Sequence, residues 1–257
     1  MNRAQRLLAI YDSLIGQGAP SGMKVGDAWA KAFGIEGPKG ERDGPLARAM
    51  LAFQDEIEAL ESQLSAAGIP GECYASQLER LRITAAPGTM RSGWEGMLGN
   101  VNPPDVRLAL LWARSTPIPG EGDIPEEQLA SLLELLEQLD QGFAAAGLPP
   151  AMAEYAATQL RNVREALQIY RVKGAAPMRV ALQQAFGATV EMGEAMAEEA
   201  AAASPEARSY MERVGAMLTR AVVVCKDVDS MYKGGSAMMT MAEKLRIAWN
   251  VISEAIK

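Results

Sequence analysis

The chain has 257 residues, 49% of them hydrophobic, 22% charged and 5% aromatic, with a net charge of −7. This composition excludes a disordered chain, and the length suffices to bury one large core or two smaller ones. The acidic balance (pI near 4.9) argues against nucleic acid or an anionic membrane surface as partner, and the complete lack of histidine excludes Ser-His-Asp and Cys-His catalysis, histidine zinc sites and Glu-x-x-His di-iron ligands.

In chain order, residues 2–16 are predicted to form a helix with Leu7, Ile10, Tyr11, Leu14 and Ile15 on one side. Its apolar stretch is interrupted by Asp12 and lacks the continuous core of a secretion signal, so a cytoplasmic location is expected. No run is long and apolar enough to predict a transmembrane helix. A loop over 16–27 leads to a short helix stopped at Gly34, and the glycine- and charge-rich stretch 34–44 reads as a flexible loop.

Two phrases then nearly repeat: QLSAAGIPG at 63–71 and GFAAAGLPP at 142–150. Each places a glycine where a helix C-cap requires left-handed backbone. An apolar residue follows to pack back on the helix, and a proline bars continuation. Counting back from Gly68, the residues Leu64, Leu60, Ile57, Phe53 and Met50 share their offsets with Phe143, Leu139, Leu136, Leu132 and Leu129 before Gly147. Both sets form the alternating 3-4 stripe of a helix packed lengthwise on another. Pro45 and Pro125 mark the two starts. The likeness continues in QLERLR (77–82) with QLRNVR (159–164), and in MRSGWEGMLG (90–99) with MRVALQQAFG (178–187), each read as a short helix stopped by glycine. Two hairpin modules are therefore expected, about 45–99 and 125–187, with internal repetition as one explanation of the likeness. Between them, DVRLALLWARS (105–115) reads as a helix with Val106, Leu110 and Ala113 or Leu111 inward.

Beyond Gly187, residues 191–204 are rich in alanine and glutamate and read as a solvated connector. Ser204-Pro205-Glu206 is a helix start, with serine as cap and proline first in the helix. Two further helices, separated by KGGS (233–236), complete a C-terminal hairpin over 205–257. Its apolar positions Tyr210, Val214, Met217, Met241, Leu245 and Trp249 are the candidate self-association residues. The expected fold is all-α: hairpins packed as a bundle or a short helical-repeat array. A body over 1–190, the connector 191–204 and the C-terminal hairpin are the expected divisions.

Charge is segregated. Between Glu121 and Glu154 there are eight acidic residues and no basic one, whereas Arg161–Arg179 is mostly basic. Complementary charge within one hairpin is the first reading. A partner-facing surface built from Glu134, Glu137, Asp140, Arg161, Arg164 and Arg171 is the second. The carboxylate sets Glu58/Glu61, Glu134/Glu137/Asp140 and Glu191/Glu194 with Glu198 share helix faces and could hold Mg²⁺ through oxygen ligands, but read first as solvated sides of amphipathic helices. The lysine-glycine loops at 37–40 and 232–236 do not match a phosphate-binding motif. Trp29, Trp94, Trp112 and Trp249 fall at helical spacing and read as packing anchors. The two cysteines, Cys73 and Cys225, read as reduced and mostly buried thiols. Arginine outnumbers lysine, which suggests a bacterial source. No catalytic residue, metal ligand or cofactor site emerges. The expected function is a non-catalytic helical protein-interaction module: a bacterial cytoplasmic adaptor, regulator or inhibitor that self-associates and binds another protein. The alternative is an enzyme that uses carboxylates and Mg²⁺ on a nucleotide or phosphate substrate.

Overall fold

A computed structural model describes residues 1–116 and 123–230. The chain is all-α, as the composition and periodicity predict. It divides into two compact units, Met1–Gly120 with Arg171–Gly174, and Glu121–Tyr170 with Ala175–Lys257.

The first unit holds α1 (Arg3–Gly16), α2 (Val25–Phe33), α3 (Asp43–Ala66), α4 (Ala75–Thr84), α5 (Trp94–Val101) and α6 (Pro104–Ser115). Asn2 opens α1 through a capping box with Gln5, satisfying two backbone donors that the helix start leaves without partners. α1 packs on α2, α3 and α6, and α4 packs on α3, α5 and α6. The stripe Met50, Phe53, Ile57, Leu60 and Leu64 is fully buried, as its spacing requires. Trp29 stacks on Phe33 at 5.1 Å between ring centroids and tilts against Phe53 at 4.9 Å. Polar tips in this core find carbonyls: Trp29 Nε1 donates to Thr84, Trp94 Nε1 to Gly18, and the Tyr11 hydroxyl to Val101.

The hydrogen-bond pattern confirms the glycine stops at Gly34 and Gly68. Gly34 has φ +68°, and the Ile35 amide donates to the Ala30 carbonyl; Gly68 has φ +76°, and Ile69 donates to Leu64. These are the six-to-one bonds of a Schellman cap. By contrast, Gly99 and Gly187 lie inside helices and stop nothing. A glycine without left-handed backbone is a tolerated weak point worth about 1 kcal/mol, not a terminator.

Among the described residues the second unit is a bundle of α7 (Glu126–Phe143), α8 (Pro150–Gln168), α10 (Ala176–Ala202) and α11 (Pro205–Ser230). Of the short α9 (Tyr170–Lys173), Tyr170 belongs to the second unit and the rest to the first. α7 packs on α8 and α11, and α10 on α8 and α11. Leu132, Leu136 and Leu139 are buried, Leu129 and Phe143 partly so, and Gly147 takes left-handed φ at +57°. The expected connector does not exist as a separate piece. Residues 191–202 continue α10, with Met196 and Ala200 fully buried. Glu199 there accepts the amides of Ala151 and Met152, both at 3.1 Å, so the Ala/Glu run caps α8. Ser204 caps α11 as expected, its hydroxyl accepting the Ala207 amide at 3.1 Å. The second arm of the expected C-terminal hairpin lies outside the described residues.

Candidate interaction surfaces

α7 is the element whose outer face stands out. Its buried residues fall on one side, and helical geometry then sends Glu126, Ala130, Leu133, Glu134, Glu137 and Gln141 to solvent, where all are exposed. Leu133 is 44% exposed, an apolar side chain among carboxylates. Seven residues further toward the turn, Asp140 pairs with Arg164 of α8, so one carboxylate of the segregated run is neutralised inside the hairpin. Glu134 accepts from Gln138 at 3.3 Å along the same helix.

The sequence-derived surface residues therefore separate into three groups. Glu134 and Glu137 share the outer face of α7. Asp140 and Arg164 engage each other, while Arg161 is exposed on α8. Arg171 belongs to the first unit, where its guanidinium lies against Gly34 at the C-terminus of α2. That end carries the negative pole of the helix, which favours a cation.

The candidate self-association residues Tyr210, Val214 and Met217 are fully buried inside their own unit. The Tyr210 hydroxyl donates to the Leu139 carbonyl at 2.8 Å, its ring meets Phe143 edge-on at 6.0 Å, and Arg213 lies 5.3 Å above it. Their apolar stripe serves the intrachain bundle. Met241, Leu245 and Trp249 lie outside the described residues.

Two further expectations change. Trp29 and Trp94 are fully buried anchors, but Trp112 is 44% exposed on α6 beside Leu108 at 65%. The helix buries Val106, Leu110 and Ala113, which puts residues 108 and 112 on the opposite side. Cys225 is buried, whereas Cys73 is exposed. Trp249 lies outside the described residues.

The carboxylate pairs stay apart as chemistry. Among the described residues no group of three or more His, Cys, Asp or Glu side chains is placed to hold a metal ion. No described helix is long and apolar enough to cross a membrane.

Comparison with protein-family models, with curated proteins and with solved structures finds no match for the chain.

Proposed function

We propose that the protein is a non-catalytic helical interaction module, and that the outer face of α7 receives a basic, amphipathic segment of another protein. The observation that carries this reading is Leu133, exposed in the middle of a face formed by Glu126, Glu134 and Glu137. Carboxylates around an exposed apolar side chain suit a partner with Lys or Arg flanking its own apolar residue. The charges steer encounter, and the apolar contact supplies affinity. No basic residue interrupts the stretch from Glu121 to Glu154. A reducing cytoplasm, the compartment that goes with this function, is in keeping with Cys73 and Cys225 forming no disulfide.

The test is quantitative co-purification of the tagged full chain from its own host, wild type against Glu134→Lys/Glu137→Lys and against Leu133→Ala. A partner enriched with the wild type should be lost with the charge reversal, weakened with Leu133→Ala, and released by high salt. Circular dichroism should be unchanged, since all three positions are exposed. Identical recovery with all three proteins, or recovery of the chain alone, overturns the reading.

A further inference from the structure

A cleft of about 460 Å³ opens in the first unit, lined by the start of α2 (Lys24, Gly26, Asp27), the loop before α3 (Lys39, Arg42), the start of α3 (Asp43, Leu46) and the turn before α5 (Met90, Arg91). Its charge runs against that of the chain. Four cationic side chains face two carboxylates, in a protein of net charge −7.

One of those carboxylates is already engaged. Asp27 pairs with Arg42, and with Lys39 at 3.3 Å. Burial alone would raise its pKa, but hydrogen bonds from Lys39, Arg42 and the Lys24 amide outweigh this and hold the carboxyl below its ordinary range. Other donors of the lining are without protein partners. Arg42 Nε is buried and makes no hydrogen bond among the described residues. Neither Lys24 nor Arg91 is ion-paired among them. Lys24 and Arg91 are exposed, so their charges are open to an anion entering the cleft.

The walls are built to hold their shape. The Gly26 amide donates to the Met90 carbonyl at 2.9 Å and Val25 to Ser92 at 3.0 Å, while Trp94 donates to Met23 at 2.9 Å. A Cβ on Gly26 would lie 3.2 Å from both the Met90 carbonyl oxygen and its Cβ, so the backbones approach as closely as glycine permits. Met90, partly exposed, contributes apolar surface beside the cations, with Leu46 buried beneath it. The volume falls within the range of small-molecule sites and exceeds what a bare inorganic anion fills.

We infer that this cleft binds a small phosphomonoester with an apolar or aromatic body, its phosphate held by Arg91 and Lys24 with Arg42, and its body set against Met90. Guanidinium forks match phosphate oxygens in pairs, and a thioether side chain suits a ring. The inference is independent of the reading of α7.

Calorimetric titration of the full chain with phenyl phosphate, inorganic phosphate and phenol tests it. Phenyl phosphate should bind most tightly, inorganic phosphate more weakly, and phenol not detectably. Arg91→Gln, at an exposed residue without an ion pair, should weaken phenyl phosphate by about tenfold or more and leave the ligand-free melting temperature unchanged. Arg42→Gln should weaken it as well, although its loss of the Asp27 pair also lowers the melting temperature. Phenyl phosphate binding no tighter than inorganic phosphate, binding unchanged in Arg91→Gln, or no binding by millimolar ligand overturns the inference.

Discussion

Arg6 and Glu56 form an ion pair inside the first unit, Nη2 to Oε2 3.3 Å, with side chains only 7% and 8% exposed. Arg3 reaches the same Oε2 at 2.8 Å, and Arg6 Nε donates to the Val172 carbonyl at 3.2 Å. Two desolvated charges are tolerated because each satisfies the other, and removal of one leaves its partner stranded. Glu56→Ala is therefore expected to destabilise the protein by about 3 kcal/mol. The double variant Arg6→Met/Glu56→Met should recover much of that loss. Urea denaturation of the three proteins measures both.

Gly34 and Gly68 bear one cost that glycine hides. Both have left-handed backbone, at φ +68° and +76°, and both cap helices. Gly68 has open space where a side chain would go, so Gly68→Ala should cost about 1 kcal/mol, the strain of a left-handed alanine. At Gly34 a Cβ would also collide with the guanidinium of Arg171, whose Cζ would be 2.8 Å away. That guanidinium is the far end of a flexible side chain and can swing aside, so Gly34→Ala should cost little more than Gly68→Ala, and Arg171→Ala in the same chain should change that little. Thermal melts of the single and double variants decide.

Tyr155 sets an upper pH limit on the bundle. Its side chain is fully buried, and its hydroxyl lies 2.7 Å from that of Thr189, which in turn donates to the Ala185 carbonyl at 2.7 Å. Burial pushes the phenol up to about 12, the Thr189 hydrogen bond opposing it only in part. The unfolded chain loses this proton near pH 10 and the folded chain does not, so the folded state binds more protons between the two values. Stability from this group is complete below about pH 10 and is expected to fall by about 2–3 kcal/mol as pH rises to about 12. Tyr155→Phe should flatten the slope by that amount in a pH series of denaturant titrations.

Glu199 gives the bundle a helix cap from a distant part of the chain. Its two carboxylate oxygens accept the Ala151 and Met152 amides at the start of α8, where Pro150 supplies no donor. Glu199→Ala should cost about 1–2 kcal/mol, and Glu199→Gln less, because the amide keeps one acceptor and loses the charge. Hydrogen exchange should localise the effect to the first turn of α8.

The stripe of α3 was legible because period and offset alone decide which residues meet a neighbour. The caps at Gly34 and Gly68 were legible because each glycine is followed by isoleucine, whose amide and side chain complete the motif. Gly99 and Gly187 carry no such follower; asparagine and alanine come next, and the helices run on. Glu56 was overlooked although its signal was present: it lies three residues after Phe53 and four before Leu60, on the buried face. The cleft was hidden for a different reason. Lys24, Arg42 and Arg91 come from segments far apart in sequence, and no local period links them. The burial of Tyr210, Val214 and Met217 inside one chain was likewise closed to periodicity, which tells that a stripe is covered but not by which helix.

The segment Arg171–Gly174 belongs to the first unit, although the residues on either side of it belong to the second. Val172 supplies the acceptor for Arg6, and Lys173 reaches Asp55 at 2.6 Å. A growing chain cannot finish the first unit when its sixth helix leaves the ribosome. It must wait until Gly174 has been synthesised, by which time α7 and α8 are already made. For the same reason, a fragment cut after residue 116 would lack part of its own interior, and the two units are not separable by a single incision.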